Sequence, residues 1–128
     1  MALVTEVLKS SLGYIGGTGR EDVEIRHAET QLNTQFAPDY RCYLSQIGLA
    51  CYDGHELTGI CKDKRLNVVD VTVEERAKCP ECSTLYVIEQ ANIDGIVIWQ
   101  APSGEIYQTT PNTTPQLIYS SLAEYISG

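Results

Sequence analysis

A proline set inside a run of helical periodicity limits more than any other feature how this chain can fold. Ile25, Ala28, Leu32 and Phe36 recur at three- and four-residue intervals, which puts them on one face of a helix. Ala37-Pro38-Asp39 interrupts that face, because the residue before a proline is driven out of the α region. Pro38 itself suits the first position of a second helix, where its missing N–H costs nothing. Tyr40, Tyr43, Leu44 and Ile47 form the apolar stripe of that helix, and Gly48 is its expected left-handed stop. Upstream, Thr18-Gly19-Arg20-Glu21 has the spacing of a capping box, so the first helix is expected to open at Thr18. Two short helices with a fixed break between them make one unit, and the remainder reads as a sheet that covers it.

On either side of that unit the pattern changes. Leu3, Val4, Val7 and Leu8 give a short amphipathic helix. The glycine-rich run from Gly13 to Gly19 invites a phosphate-loop reading. No strand precedes it, however, no Gly-Lys-Ser/Thr follows, and the third glycine of a dinucleotide fingerprint is missing. It reads as a flexible link between helices. From Ala50 onward His55 to Lys62 and Leu66 to Val71 read as strands about a charged Asp63-Lys64-Arg65 turn. Thr72-Val73-Glu74-Glu75 repeats the capping-box spacing and predicts a short helix ending near Lys78. Leu85 to Ala91, Gly95 to Ala101 and Glu105 to Thr109 predict a three-stranded meander joined by Asn92-Ile93-Asp94-Gly95 and Pro102-Ser103-Gly104. The unbroken apolar run Ile96 to Trp99 predicts a central strand covered on both faces, with Trp99 in the core. Pro111 to Pro115 is a polar loop, and Ser121 to Glu124 opens a C-terminal helix that buries Leu122, Tyr125 and Ile126. The fold class is α+β: N-terminal helices packed on a mainly antiparallel sheet that ends in the meander, then a final helix.

Ile25, Glu29, Leu32, Phe36-Ala37-Pro38-Asp39-Tyr40, Tyr43-Leu44 and Ile47-Gly48 resemble the opening signature of the SUKH superfamily. That superfamily contains the yeast cell-wall-synthesis regulators and the bacterial toxin-immunity proteins of the YobK type. The resemblance continues through His55 to Ile60, the strands ending at Trp99, and Ile118 to Ile126, so it covers nearly the whole chain. Gly48-Leu49-Ala50 departs from it where relatives often carry a further glycine or asparagine, and the five cysteines lie outside the pattern. The resemblance implies a SUKH-like fold. For a small bacterial member it also implies an immunity protein, or antitoxin, that neutralises a cognate toxin by stoichiometric binding, without catalysis. The other implied class is a regulatory scaffold like the yeast members. Those carry long disordered flanks, whereas this chain is of core length.

A chain of 128 residues is one domain by length, residues 1–128. No basic n-region precedes an apolar run, and no segment reaches the roughly twenty apolar residues of a membrane span. The expectation is a soluble cytoplasmic protein without a membrane partner. The net charge is −8, and after Lys78 there are five acidic residues and no Lys or Arg. That balance opposes direct binding to a phosphate backbone and suits a basic partner, such as a nuclease toxin. An acidic surface also serves solubility alone.

Few residues single themselves out for chemistry. Cys79-Pro80-Glu81-Cys82 has the spacing of half a zinc site, but no second pair of that spacing exists, although Cys51, His55 and Cys61 are conceivable completing ligands. As a redox pair it should open a helix after a strand, whereas here a helix precedes and a strand follows. Two cysteines in a connecting loop is the reading that context favours, and an odd cysteine count fits reduced thiols. No cofactor is implied, His27 is expected to face solvent, and no Ser, His and Asp fall into a nucleophile spacing. The candidate partner-binding residues are Tyr52, Asp53 and Glu56 on the loop that links the second helix to the first strand, and Glu89, Asp94, Glu105 and Tyr107 around the meander. In that scheme the acids mimic phosphates, and Tyr52 and Tyr107 are apolar anchors.

Overall fold

The computed structural model describes residues 2–128. Its helices are α1 (Ala2–Lys9), α2 (Asp22–Leu32), α3 (Pro38–Gln46), α4 (Val68–Lys78) and α5 (Leu122–Ser127). Strands β1 (Ile15–Gly16), β2 (Ala50–Tyr52) and β3 (His55–Glu56) form one small antiparallel sheet. Strands β4 (Tyr86–Gln90), β5 (Val97–Gln100), β6 (Ile106–Thr109) and β7 (Gln116–Tyr119) form a second, in sequence order. A single antiparallel bridge from Leu57 to Glu89 links the two. The fold is therefore α+β, as expected, with a fourth strand after the Pro111–Pro115 loop that the sequence pattern does not announce.

The helical unit forms about Pro38 as expected, but its ends differ. Thr18 does not cap α2. The backbone of that region is held extended by Gly17 N–H donating to Leu49 O and Arg20 N–H donating to Leu44 O. The cap passes to Glu21, whose backbone N–H donates to the Glu24 carboxylate. The same bonds, with Gly16 paired to Ala50, make the glycine-rich run a fitted strip rather than a flexible link. α2 stops at Asn33, in the left-handed region at φ 52°, before the proline is reached. Phe36 is still buried, because its N–H donates to Glu29 Oε2 at 2.8 Å. α3 starts on Pro38, and Gly48 follows it at φ +79°.

The Phe36–Tyr40 motif holds three layers together. Phe36, Tyr40, Tyr43 and Tyr86 pack edge-on or tilted, with neighbouring centroids 4.8–5.4 Å apart. Asp39 Oδ1 accepts from Tyr40 N–H at 2.7 Å and from Gln100 Nε2 at 2.9 Å, and its Oδ2 accepts from Leu122 N–H at 2.9 Å. One carboxylate thus joins α3, the middle of the sheet and the start of α5. Ser121 caps α5 as expected, its Oγ accepting from Glu124 N–H.

Between the two sheets the expected strands shrink. Only His55 and Glu56 pair continuously, and Leu66 to Val71 is not a strand at all. Its valines mark a β segment by propensity, but Asn67 Oδ1 accepts from Val69 N–H while its Nδ2 donates to Cys61 O. That cap starts α4 at Val68, four residues before the expected Thr72. Thr72 is buried within the helix, where its Oγ1 accepts from Val87 N–H at 3.0 Å. α4 ends at Lys78, as expected.

The four-stranded sheet is covered on both faces near β4 and β5. Tyr86, Ile88, Ile98 and Ile106 face the core formed with α1, α2, α3 and α5. Val87, Val97 and Trp99 face the opposite way and pack with Val71, Cys82 and Leu85. Trp99 is in the core, as expected, and its indole donates to Thr109 Oγ1.

Candidate functional site

Asp53 and Gly54 have φ of 44° and 80°, the two positive angles of a type I′ turn, and they fold β2 onto β3. The pairing sets Tyr52 opposite His55, with the rings stacked at 4.9 Å between centroids. Tyr52 is only 4% exposed, so it is a core residue rather than the expected surface anchor. Asp53, at the tip, is exposed.

Behind His55 lies Glu89. The β4–β5 register slips between Val87 and Glu89, and such a bulge turns two successive side chains, Ile88 and Glu89, to the core side. Strict alternation would have left Glu89 facing outward. It is instead 3% exposed and unavailable as a phosphate mimic. Its carboxylate lies 3.0 and 3.1 Å from His55 Nδ1 and accepts from the Tyr125 hydroxyl at 2.5 Å. A carboxylate only accepts, so the imidazole proton sits on Nδ1. Burial, and then the Glu89 charge, push the Tyr125 hydroxyl well above its ordinary value and keep it a donor. Tyr52, His55, Glu89 and Tyr125, joined edge-on by Tyr119, make a hydrogen-bonded aromatic plate under the hairpin.

The remaining expected residues scatter. Glu56 is half-buried and held two-pronged by Arg65, at 2.9 and 3.2 Å, which lowers its carboxyl below the ordinary range. Asp94 is exposed at φ 52° in the β4–β5 turn, where its neighbour Asn92 shares a small hollow with Glu56 and Arg65. Glu105 sits at the other end of β5, accepting from Ser103 Oγ, which lowers its pKa. Tyr107 is half-buried across from Trp99 and Leu117 on the outer face. The structure therefore brings Tyr52, Asp53, Glu56 and Glu89 to one region and leaves Glu105 and Tyr107 apart from it.

One feature has no forerunner in the sequence pattern. A cleft of about 700 Å³ opens between the end of α4, the Cys79–Glu81 turn, the outer face of β5 and the Thr110–Thr114 loop. Val97 and Trp99 line its floor, and Glu75, Lys78 and Glu81 stand on one wall. Glu75 is 8% exposed, and its Oε2 accepts from Gln90 Nε2 at 2.6 Å, while Lys78 Nζ stays 3.9 Å from Oε1. The signals that lead here are the Glu75 position one turn before the end of α4 and the bulge, which sends Gln90 outward. The first is visible in the sequence, and the second only in the register.

Cys79 and Cys82 are joined by a disulfide, contrary to the expectation of reduced thiols. Pro80 opens a single turn of 3₁₀ helix, Pro80–Cys82, which brings the two Cα atoms to 5.4 Å, within bonding range. The paired sulfurs offer no thiolate to a metal. Among the described residues no three His, Cys, Asp or Glu side chains gather as ligands, so Cys51, His55 and Cys61 do not complete a site. No described helix is long and apolar enough to cross a membrane.

Comparison with known families gives a match over residues 3–127 to the SUKH family model described as SMI1-KNR4 cell-wall. No curated protein matches the chain.

Proposed function

The chain belongs to the SUKH (SMI1-KNR4 cell-wall) family, which includes toxin-immunity proteins, and on that premise we propose that it is an immunity protein that binds a cognate toxin and blocks it by occupancy. The observation that carries this reading is the extent of the match, which runs from α1 through α5. Proteins of this family are in general immunity or regulatory proteins rather than enzymes. The partner is a basic nuclease domain. Charge supports this choice: Arg20, Arg26, Arg41, Arg65 and Lys78 are drawn to acidic side chains, and the chain beyond Lys78 carries no Lys or Arg. Asp53, Asp94 and Glu105 are the acids offered at the turns, with Glu56 beside them once Arg65 is displaced. Tyr52 and Glu89 contribute by stiffening the hairpin from within, and Tyr107 by the outer face on which it lies.

The test begins with tagged protein retained on a matrix in lysate of the native organism. The expected result is one stoichiometric partner that is toxic when expressed alone and harmless when this chain is expressed with it. Replacing Asp53, Glu56 and Glu105 together by Lys should weaken that complex at least about tenfold, with a smaller effect at high salt. Undiminished affinity of the triple variant would refute the acidic contact. A regulatory role is the second reading, favoured by the cell-wall description of the family. It predicts several weaker partners and no rescue of toxicity.

A further inference from the structure

The cleft beside Trp99 carries a ligand chemistry of its own. Apart from Glu75 and Lys78, every residue that lines it lies in the part of the chain without Lys or Arg. Its one cation among the described residues, Lys78, is largely exposed and stands at long range from Glu75. The short partner of Glu75 is a neutral amide, Gln90 Nε2, which engages one oxygen only. A carboxylate more than nine-tenths buried, with its second oxygen so lightly held, has capacity for an incoming cation. Glu81 adds an exposed second acid on the same wall. Over Val97 and Trp99, which are themselves nearly covered, the exposed rings of Pro80 and Pro111 present apolar surface of the kind that takes the methylene stem of a long basic side chain. The volume lies within the range of sites that enclose a small ligand.

We propose that this cleft receives an arginine side chain of the partner, its guanidinium on Glu75 and Glu81 and its stem along Pro80 and Pro111, above Trp99. Arginine fits better than lysine because its planar fork presents parallel N–H groups to a carboxylate and is the more weakly hydrated cation. That the arginine comes from a toxin rests on the immunity reading; the chemistry of the cleft does not.

Trp99 is the one tryptophan of the chain, so its emission reports the floor directly. Titrating an end-capped hexa-arginine peptide into the protein should give a saturable change in that emission. Affinity should fall about tenfold or more in Glu75→Gln with Glu81→Gln and stay unchanged in Glu6→Gln, an exposed acid on α1. An unresponsive emission, or equal losses in the Glu6 control, overturns the assignment. If Glu75→Gln melts early, Glu81→Lys at its exposed site carries the test alone, with the same expected loss. A toxin partner bound with undiminished affinity by the Glu75→Gln/Glu81→Lys protein would remove the cleft from the interface and leave the immunity reading standing. Arginine-peptide binding that obeys the variants, with no toxin found, would support the cleft and count against that reading.

Discussion

At the scale of single residues, the signature that exposes the family and the contacts that hold the fold are the same atoms. Asp39 looks in the sequence like a first-turn acid of α3. In the structure it accepts three hydrogen bonds from three elements and ties Leu122 N–H to Gln100 Nε2. Asp39→Ala leaves Leu122 N–H and Tyr40 N–H without this acceptor, while Gln100 Nε2 keeps only its bond to Gly104 O, and should destabilise the protein by about 2–4 kcal/mol in urea unfolding. A loss under about 0.5 kcal/mol, the ordinary figure for a surface change, would mean that the bonds do not matter. The glycines at Gly48 and Gly59 are a second example. A Cβ on Gly59 would meet the carbonyl oxygen of Gly48, and one on Gly48 would meet that of Thr18. The spacing of these residues was legible, but their reason was not, because each partner comes from a different part of the chain.

At the scale of elements, local signals compete and packing chooses. Leu66 to Val71 has the β-branched composition of a strand, yet the Asn67 cap and a buried Thr72 make it helix. Asn67→Ala removes the cap and the bond to Cys61 O, with an expected cost of about 1 kcal/mol by chemical denaturation. If the segment were a strand, as its composition predicts, the change would be close to neutral. The Cys79–Cys82 turn closes a very short loop, so its disulfide constrains the unfolded chain only modestly. Reduction with a dithiol should lower stability by about 2 kcal/mol and leave the far-ultraviolet dichroism in place. Full unfolding on reduction would show that the bond holds more than its own turn. The β4 bulge is the element-scale event with the largest consequence, since it moves Glu89 inward and Gln90 to the cleft.

At the scale of the whole molecule, the tyrosines set a limit on stability at high pH. Burial raises the hydroxyls of Tyr40, Tyr43 and Tyr86 well above their ordinary value of 10.0. The unfolded chain releases those protons near pH 10 while the folded chain keeps them, so stability is full below that point and falls as pH rises beyond it. Each of the three contributes a slope of about 1.4 kcal/mol per pH unit. The expected result is that tyrosinate absorbance from these groups and loss of tertiary dichroism appear together, in one cooperative step above pH 10. Smooth ionisation of all eight tyrosines in an intact fold would contradict their burial.

The sequence by itself determined the broken helical pair about Pro38, the α+β class, the meander, the burial of Trp99, the acid balance beyond Lys78 and the family. Each of these is written in local spacing, in proline and glycine chemistry or in composition, and needs no knowledge of what lies across the core. Only the tertiary structure decided that Tyr52 and Glu89 are buried, that β7 joins the sheet, that α4 starts at Val68, and that Glu75 faces a cleft. Those outcomes depend on strand register and on partners dozens of residues away, as with His55 and Glu89 or Tyr40 and Thr58. A one-residue slip, such as the β4 bulge, exchanges the two faces of a strand, and no periodicity in the sequence marks where it occurs.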